Sequence, residues 1–142
     1  MPNQDFKHHA RYIPLWHFIV PLILLLILLG SILNLLHADV HDHYGAVTLL
    51  VIAILLPILY WYARAFALRA QDRAIKAEEN FRHFVLTGKG LDHRLRLGQI
   101  IALRFAGDEE FPALCKRAVE EKLSNRQIKQ AIRNWRADYN RV

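Results

Sequence analysis

Cysteine is almost missing from this chain: Cys115 is the single one in 142 residues. A lone thiol excludes an internal disulfide framework and any zinc module built from several cysteines. Glycine and proline are sparse, at 6 and 5. They form no glycine-rich phosphate loop, and neither a nucleophile elbow nor a zinc-protease helix is present. His83 and His93 lie near Glu79 and Asp92, but that spacing matches no catalytic signature. No enzyme and no cofactor are therefore expected. What the chain has in quantity is apolar surface, 54% of residues with 7 Phe and 3 Trp, which excludes wholesale disorder.

The most informative absence is charge. Residues 12–38 hold 27 consecutive positions with no Asp, Glu, Lys or Arg, and residues 43–63 hold 21 more. A helix needs about 20 apolar residues to cross a hydrocarbon core, and within lipid the backbone must satisfy its own hydrogen bonds. Both stretches are therefore expected to be transmembrane helices, over about 14–36 and 44–63. A cleaved signal peptide is the rival for the first, but its apolar core is too long and no small-residue cleavage site precedes Asp39. Pro21 and Pro57 are expected kink points. Gly30 and Ser31 would let the helices approach closely, and Asn34 could bond across them. Tyr12, Trp16 and His17 at one end, and Tyr60, Trp61 and Tyr62 at the other, read as interfacial belts.

Orientation follows from the basic residues. The arm before the first span carries +1, the 37–43 connection −2 and the remainder +7, which together make the net +6. The positive-inside rule places both termini in the cytoplasm and the connection outside. The expected organisation is a cytoplasmic arm (1–13), a hairpin (14–63) and a cytoplasmic helical domain (64–142). The mean hydropathy of +0.10 thus averages two unlike parts. The connection holds His37, Asp39, His41, Asp42 and His43, a group of metal-ligand types that could also titrate near neutrality. Its spacing matches no established metal signature, and a plain polar loop is the competing reading.

Beyond the second span the helical pattern continues without Gly or Pro to Leu86, and Thr87-Gly88 supplies a stop. Ala63, Ala67, Ala70, Ala74, Ala77, Phe81 and Phe84 alternate steps of four and three. That is a heptad seam, open either to a partner helix or to the chain's own later helices. Leu97, Ile100, Ile101 and Phe105 mark a short amphipathic helix closed by Gly107. Asp108–Pro112 opens another helix, with Phe111, Leu114, Cys115, Ala118, Val119 and Leu123 on its core face. Ser124–Gln127 is a capping box for a last helix with Ile128, Ala131, Ile132 and Trp135 inward. Cys115 on an apolar face reads as a structural thiol. The expected fold is all-α: a transmembrane hairpin, its second helix extended into the cytoplasm, and a small bundle of three short helices.

The surfaces expected to matter are the seam and the polar blocks with Asp72, Arg73, Glu78, Glu79, Arg82, Asp108, Glu109 and Glu110. Arg126, Lys129, Arg133 and Arg136 would line the outer face of the last helix and meet anionic lipid headgroups. The last two helices also outline a helix-turn-helix, but the turn lacks the usual Gly and base-reading side chains are few, so nucleic acid is the weaker reading.

Four blocks carry a family resemblance: His9–Tyr12 with His17-Phe18, Phe66–Lys89, Gln99–Leu114 and Ile132–Asp138. Together they resemble an uncharacterised family of small two-span bacterial inner-membrane proteins, catalogued as a domain of unknown function. The resemblance implies a two-span membrane protein with a helical cytoplasmic part, and it brings no activity, cofactor or catalytic residue. Members are sometimes labelled transporter permeases, but two spans without an intramembrane charge make no obvious pathway alone. The function expected is a non-enzymatic membrane adaptor or accessory subunit that binds a protein partner or itself. The alternative is a subunit of a permease or a small oligomeric pore.

Overall fold

The computed structural model describes residues 13–138. The N-terminal arm with Lys7, Arg11 and Tyr12 lies outside the described residues. Among those described, five α-helices follow a π-helical turn at Leu15–Ile19: α1 (Val20–His37), α2 (His43–Thr87), α3 (Leu97–Leu103), α4 (Phe111–Glu120) and α5 (Asn125–Ala131). No strand is described, and an isolated antiparallel bridge pairs Ala106 with Trp135. The chain divides into two compact units at Ala67/Leu68.

In the first unit, α1 and the first part of α2 are long and apolar enough to cross a membrane. Their Leu, Ile and Val side chains point outward: Leu22, Leu25, Leu29 and Leu33 on α1, and Leu49, Ile52 and Leu59 on α2, are all exposed. The buried positions are small, namely Ser31, Ala46 and Ala53. Ser31 turns its hydroxyl back to the Leu28 carbonyl at 2.8 Å, so no polar group is left open there. Gly30 faces open space and Asn34 is exposed, so neither has the packing role expected of it, whereas Ser31 is buried. The wide first turn has a local cause. Pro21 has no N–H to donate one turn back, and the Val20 N–H reaches the Leu15 carbonyl five residues away. Trp16, in that turn, stacks on Tyr60 at 4.5 Å and accepts the Tyr60 hydroxyl on its carbonyl. Helix α2 is continuous through Pro57.

The second unit is a small core around Leu103, Phe105, Phe111 and Ile128, all fully buried. Each buried aromatic of this kind stabilises by roughly 2–3 kcal/mol relative to exposure. α4 presents the expected face: Phe111, Leu114, Cys115 and Ala118 are buried, with Val119 partly so. α3 is rotated relative to expectation. Ile100 and Phe105 are inside, but Leu97 is 42% exposed and Gln99 is buried. Gln99 is held by three bonds: its amide donates to the carbonyls of Ala118 and Leu123, and its oxygen accepts the Arg96 N–H. A buried amide is tolerated there because both of its N–H groups and its oxygen find partners.

The turn between α4 and α5 does without glycine because Lys122 takes the left-handed conformation, φ +52°. The Leu123 N–H then reaches back to the Ala118 carbonyl, as in a Schellman closure. Ser124 and Gln127 form the expected reciprocal cap. α5 ends at Ala131, earlier than the apolar spacing suggested. Beyond it Trp135 leaves the helix to lie on Phe105 at 5.1 Å, and Asn134 and Arg136 bond the Gly107 and Phe105 backbones. A Cβ on Gly107 would meet the Asn134 carbonyl at 3.2 Å, so a side chain here would crowd the C-terminal segment. α2 stops at Thr87, with Gly88 at φ +72° after it.

Candidate functional site

Helix α2 has two faces beyond the apolar span, and they differ in what they touch. One face packs on the small core through Ile75, Glu79, Arg82 and His83, all buried or half-buried. Glu79 and Arg82 pair at 3.0 Å. Arg82 then donates to Asp108 at 2.7 Å and to the Ala106 carbonyl at 2.6 Å, with its guanidinium 4.2 Å above the Phe111 ring. His83 meets the same ring edge-on and lies 2.7 Å from the Lys89 carbonyl. Burial pushes the Glu79 carboxyl above its ordinary value, against the opposing pull of Arg82. Burial, with the nearby Glu79 charge, also pushes the Cys115 thiol up to about 12.

Three residues read from the sequence as free polar surface, Glu79, Arg82 and Asp108, are therefore committed to holding α2 against the α3–α4 turn. Glu110 is also engaged: its carboxylate accepts the Arg133 and Asn134 N–H groups at 3.2 and 3.0 Å. Asp72 is half-buried, whereas Arg73, Glu78 and Glu109 are exposed. The stripe Gln71–Ile75–Glu79–Arg82 is the missed interior face. Two of its side chains are charged, so no apolar period announces it.

The heptad residues form the other face. Ala70, Ala74 and Ala77 are exposed, and Phe81 and Phe84 are 67% and 54% exposed. Ala63 is exposed and Ala67 half-buried. The reading in which the seam packs on the chain's own later helices does not hold among the described residues. At about 100° per residue, the seam sits about 150° around the helix from Ile75 and Glu79.

The basic set is divided. Arg126 and Lys129 are on α5, with the Lys129 ammonium 5.5 Å from the Phe105 ring. Arg133 and Arg136 lie beyond the helix end, so the four do not share one helical face. Arg136 approaches Glu78 at 3.7 Å. A groove of about 320 Å³ between α2 and the C-terminal segment is lined by Gln71, Ile75, Glu78, Glu79, Arg104 and Asp138. It carries both signs of charge, and Arg104 is tied to Asp138 at 3.1 Å. In the α1–α2 connection, His37 belongs to α1, with its ring against the Leu33 carbonyl, and His43 opens α2. No cluster of three or more His, Cys, Asp or Glu placed to hold a metal occurs among the described residues, so His37, Asp39, His41, Asp42 and His43 do not converge.

This arrangement of an apolar helix pair, a long α2 and a small helical core coincides with a family match that covers residues 1–142. The chain belongs to DUF6526, a family of unknown function. No curated protein and no solved structure matches it. Membership in DUF6526 supplies no activity, so the functional reading rests on the surfaces described above.

Proposed function

We propose that the chain is a non-enzymatic membrane adaptor or accessory subunit that binds a protein partner through the outward face of α2. In this reading α1 and the first part of α2 form a transmembrane hairpin in a bacterial inner membrane. Residues 64–142 and the N-terminal arm lie in the cytoplasm, and His37–His43 lies outside. The orientation is supported by the charges, −2 on the connection against +7 on residues 64–142. The observation that carries the function is the exposed seam from Ala70 to Phe84, a helix face with two large aromatic side chains and nothing described against it. The ionised groups around Glu79 support a non-catalytic role, since they bond to the chain itself.

A transport role, as permease subunit or oligomeric pore, is the second reading. It is less well supported because residues 13–37 and 43–63 contain no Asp, Glu, Lys or Arg to line a path.

The adaptor is tested by purifying the full-length protein from its native membranes in mild detergent. Wild type is expected to bring a stoichiometric partner, or to run as an oligomer, and Ala70→Glu with Ala74→Glu to lose it while still folding. Unchanged partners and size in the double variant sink the adaptor. Ion flux from pure reconstituted protein would favour transport. Orientation is read from an impermeant maleimide on intact cells, which should label Val40→Cys and not Lys89→Cys.

A further inference from the structure

Resting on the adaptor reading above, we infer that the partner on the α2 seam is a second copy of this chain, joined as a parallel, in-register coiled coil over Ala67–Phe84. Ala67, Ala74 and Phe81 occupy the a positions of the heptad, and Ala70, Ala77 and Phe84 the d positions. Phe81 and Phe84 are 67% and 54% exposed, and Val85 beside them is 65% exposed. A face this apolar is costly to leave in water. The core of the second unit packs on the opposite side of α2, through Ile75 and Glu79, and leaves the seam clear.

The flanking charges say which occupant fits. Arg73 is at g and Glu78 at the following e, and both are exposed. In a parallel pair each g residue meets the next e residue of the other helix, so Arg73 meets the partner's Glu78, and the two-fold axis makes the contact twice. An antiparallel pair sets g against g and e against e, which leaves Arg73 and Glu78 on opposite flanks. Insertion in one membrane with one orientation makes two α2 helices parallel. Glu78 has an intrachain contact with Arg136, but at 3.7 Å between exposed groups it is loose.

Oxidative cross-linking of full-length single-cysteine variants in native membranes tests the register. Cys115 can stay, because it is buried and wild type should give no cross-link. Ala70→Cys, Ala74→Cys and Ala77→Cys should each give a disulfide-linked homodimer, and Lys76→Cys, off the seam, should not. In the Ala74→Cys background, Arg73→Glu or Glu78→Arg should lower the yield about fivefold, and the two together should restore it.

Cross-linking at the three seam positions no greater than at Lys76→Cys overturns the inference. So does a charge exchange that fails to restore the dimer. If no homodimer forms while Ala70→Glu with Ala74→Glu releases a different protein, the adaptor stands and the second copy falls. Dimers that appear only after residues 2–12 are deleted would assign the seam to the chain's own arm and also overturn the inference.

Discussion

At the scale of single residues, the carboxyl of Glu79 is the most consequential. It is 3% exposed and held above its ordinary value by burial, while Arg82 pulls it down. Above the ordinary carboxylate value of 4.5, and up to the raised folded value, the folded chain binds more protons than the unfolded chain. Stability should therefore be highest below that window, fall as pH rises through it, and level off above. Glu79→Gln should flatten this fall, measured as denaturant midpoint against pH. Asp92, held well below the carboxylate range by the Arg94 side chain and then its N–H, acts with the opposite sign at lower pH. Arg82→Met should be the harsher change. It leaves Glu79 buried without its cation and should cost about 3 kcal/mol at neutral pH. Adding Glu79→Gln to it should recover part of that loss, a non-additivity that a double-mutant cycle would read.

Lys122 makes a second prediction at this scale. A non-glycine residue in the left-handed region costs about 1 kcal/mol, partly offset by the greater freedom glycine has when unfolded. Lys122→Gly should raise stability by about 0.5 kcal/mol by thermal denaturation, and Lys122→Val should lower it.

Among the elements, those legible in the sequence are the ones whose signals are local. The two apolar helices appear where charge is missing, since lipid-length runs need no knowledge of partners. The start of α5 was also legible, because Ser124 and Gln127 bond each other within one turn. Ser124→Ala should cost about 1 kcal/mol, seen as a lower denaturation midpoint. The end of α5 was not legible. Trp135 has the right spacing to continue the helix, and a distant bridge to Ala106 draws it away instead. The interior face of α2 was hidden for a related reason. Ala70, Ala74, Ala77, Phe81 and Phe84 have the period of a core, while Gln71, Glu79 and Arg82 look solvated until Asp108 and Phe111 arrive from elsewhere in the chain. Gln99 and Leu97 exchange expected places on α3 for the same cause, two carbonyls supplied from Ala118 and Leu123. Periodicity reports which side of a helix is apolar. It does not report which side finds a partner.

For the molecule as a whole, the division at Ala67/Leu68 separates two kinds of stability. The unit that ends at Ala67 leaves many of its described apolar side chains exposed. The unit from Leu68 onward has its own core of Phe105, Phe111, Leu103 and Ile128. Denaturant titration of the full chain in detergent micelles should therefore show two helical transitions rather than one. The earlier transition should carry the pH dependence of Glu79, and Ala53→Leu should shift only the other, by about 1–3 kcal/mol of overpacking. A single coincident transition would mean that the two units unfold together.

The three tryptophans are distributed so that each unit has its own optical signal. Trp16 stacks on Tyr60, Trp61 is 72% exposed, and Trp135 lies against Phe105. Replacing Trp16 and Trp61 with Phe leaves one fluorophore, and it sits on the aromatic centre of the second core. Its emission would follow the release of the C-terminal segment from Phe105 without interference from the apolar helices. The side chain just beyond the end of α5 is thus a built-in fluorescent reporter for the core on the side of α2 away from the seam.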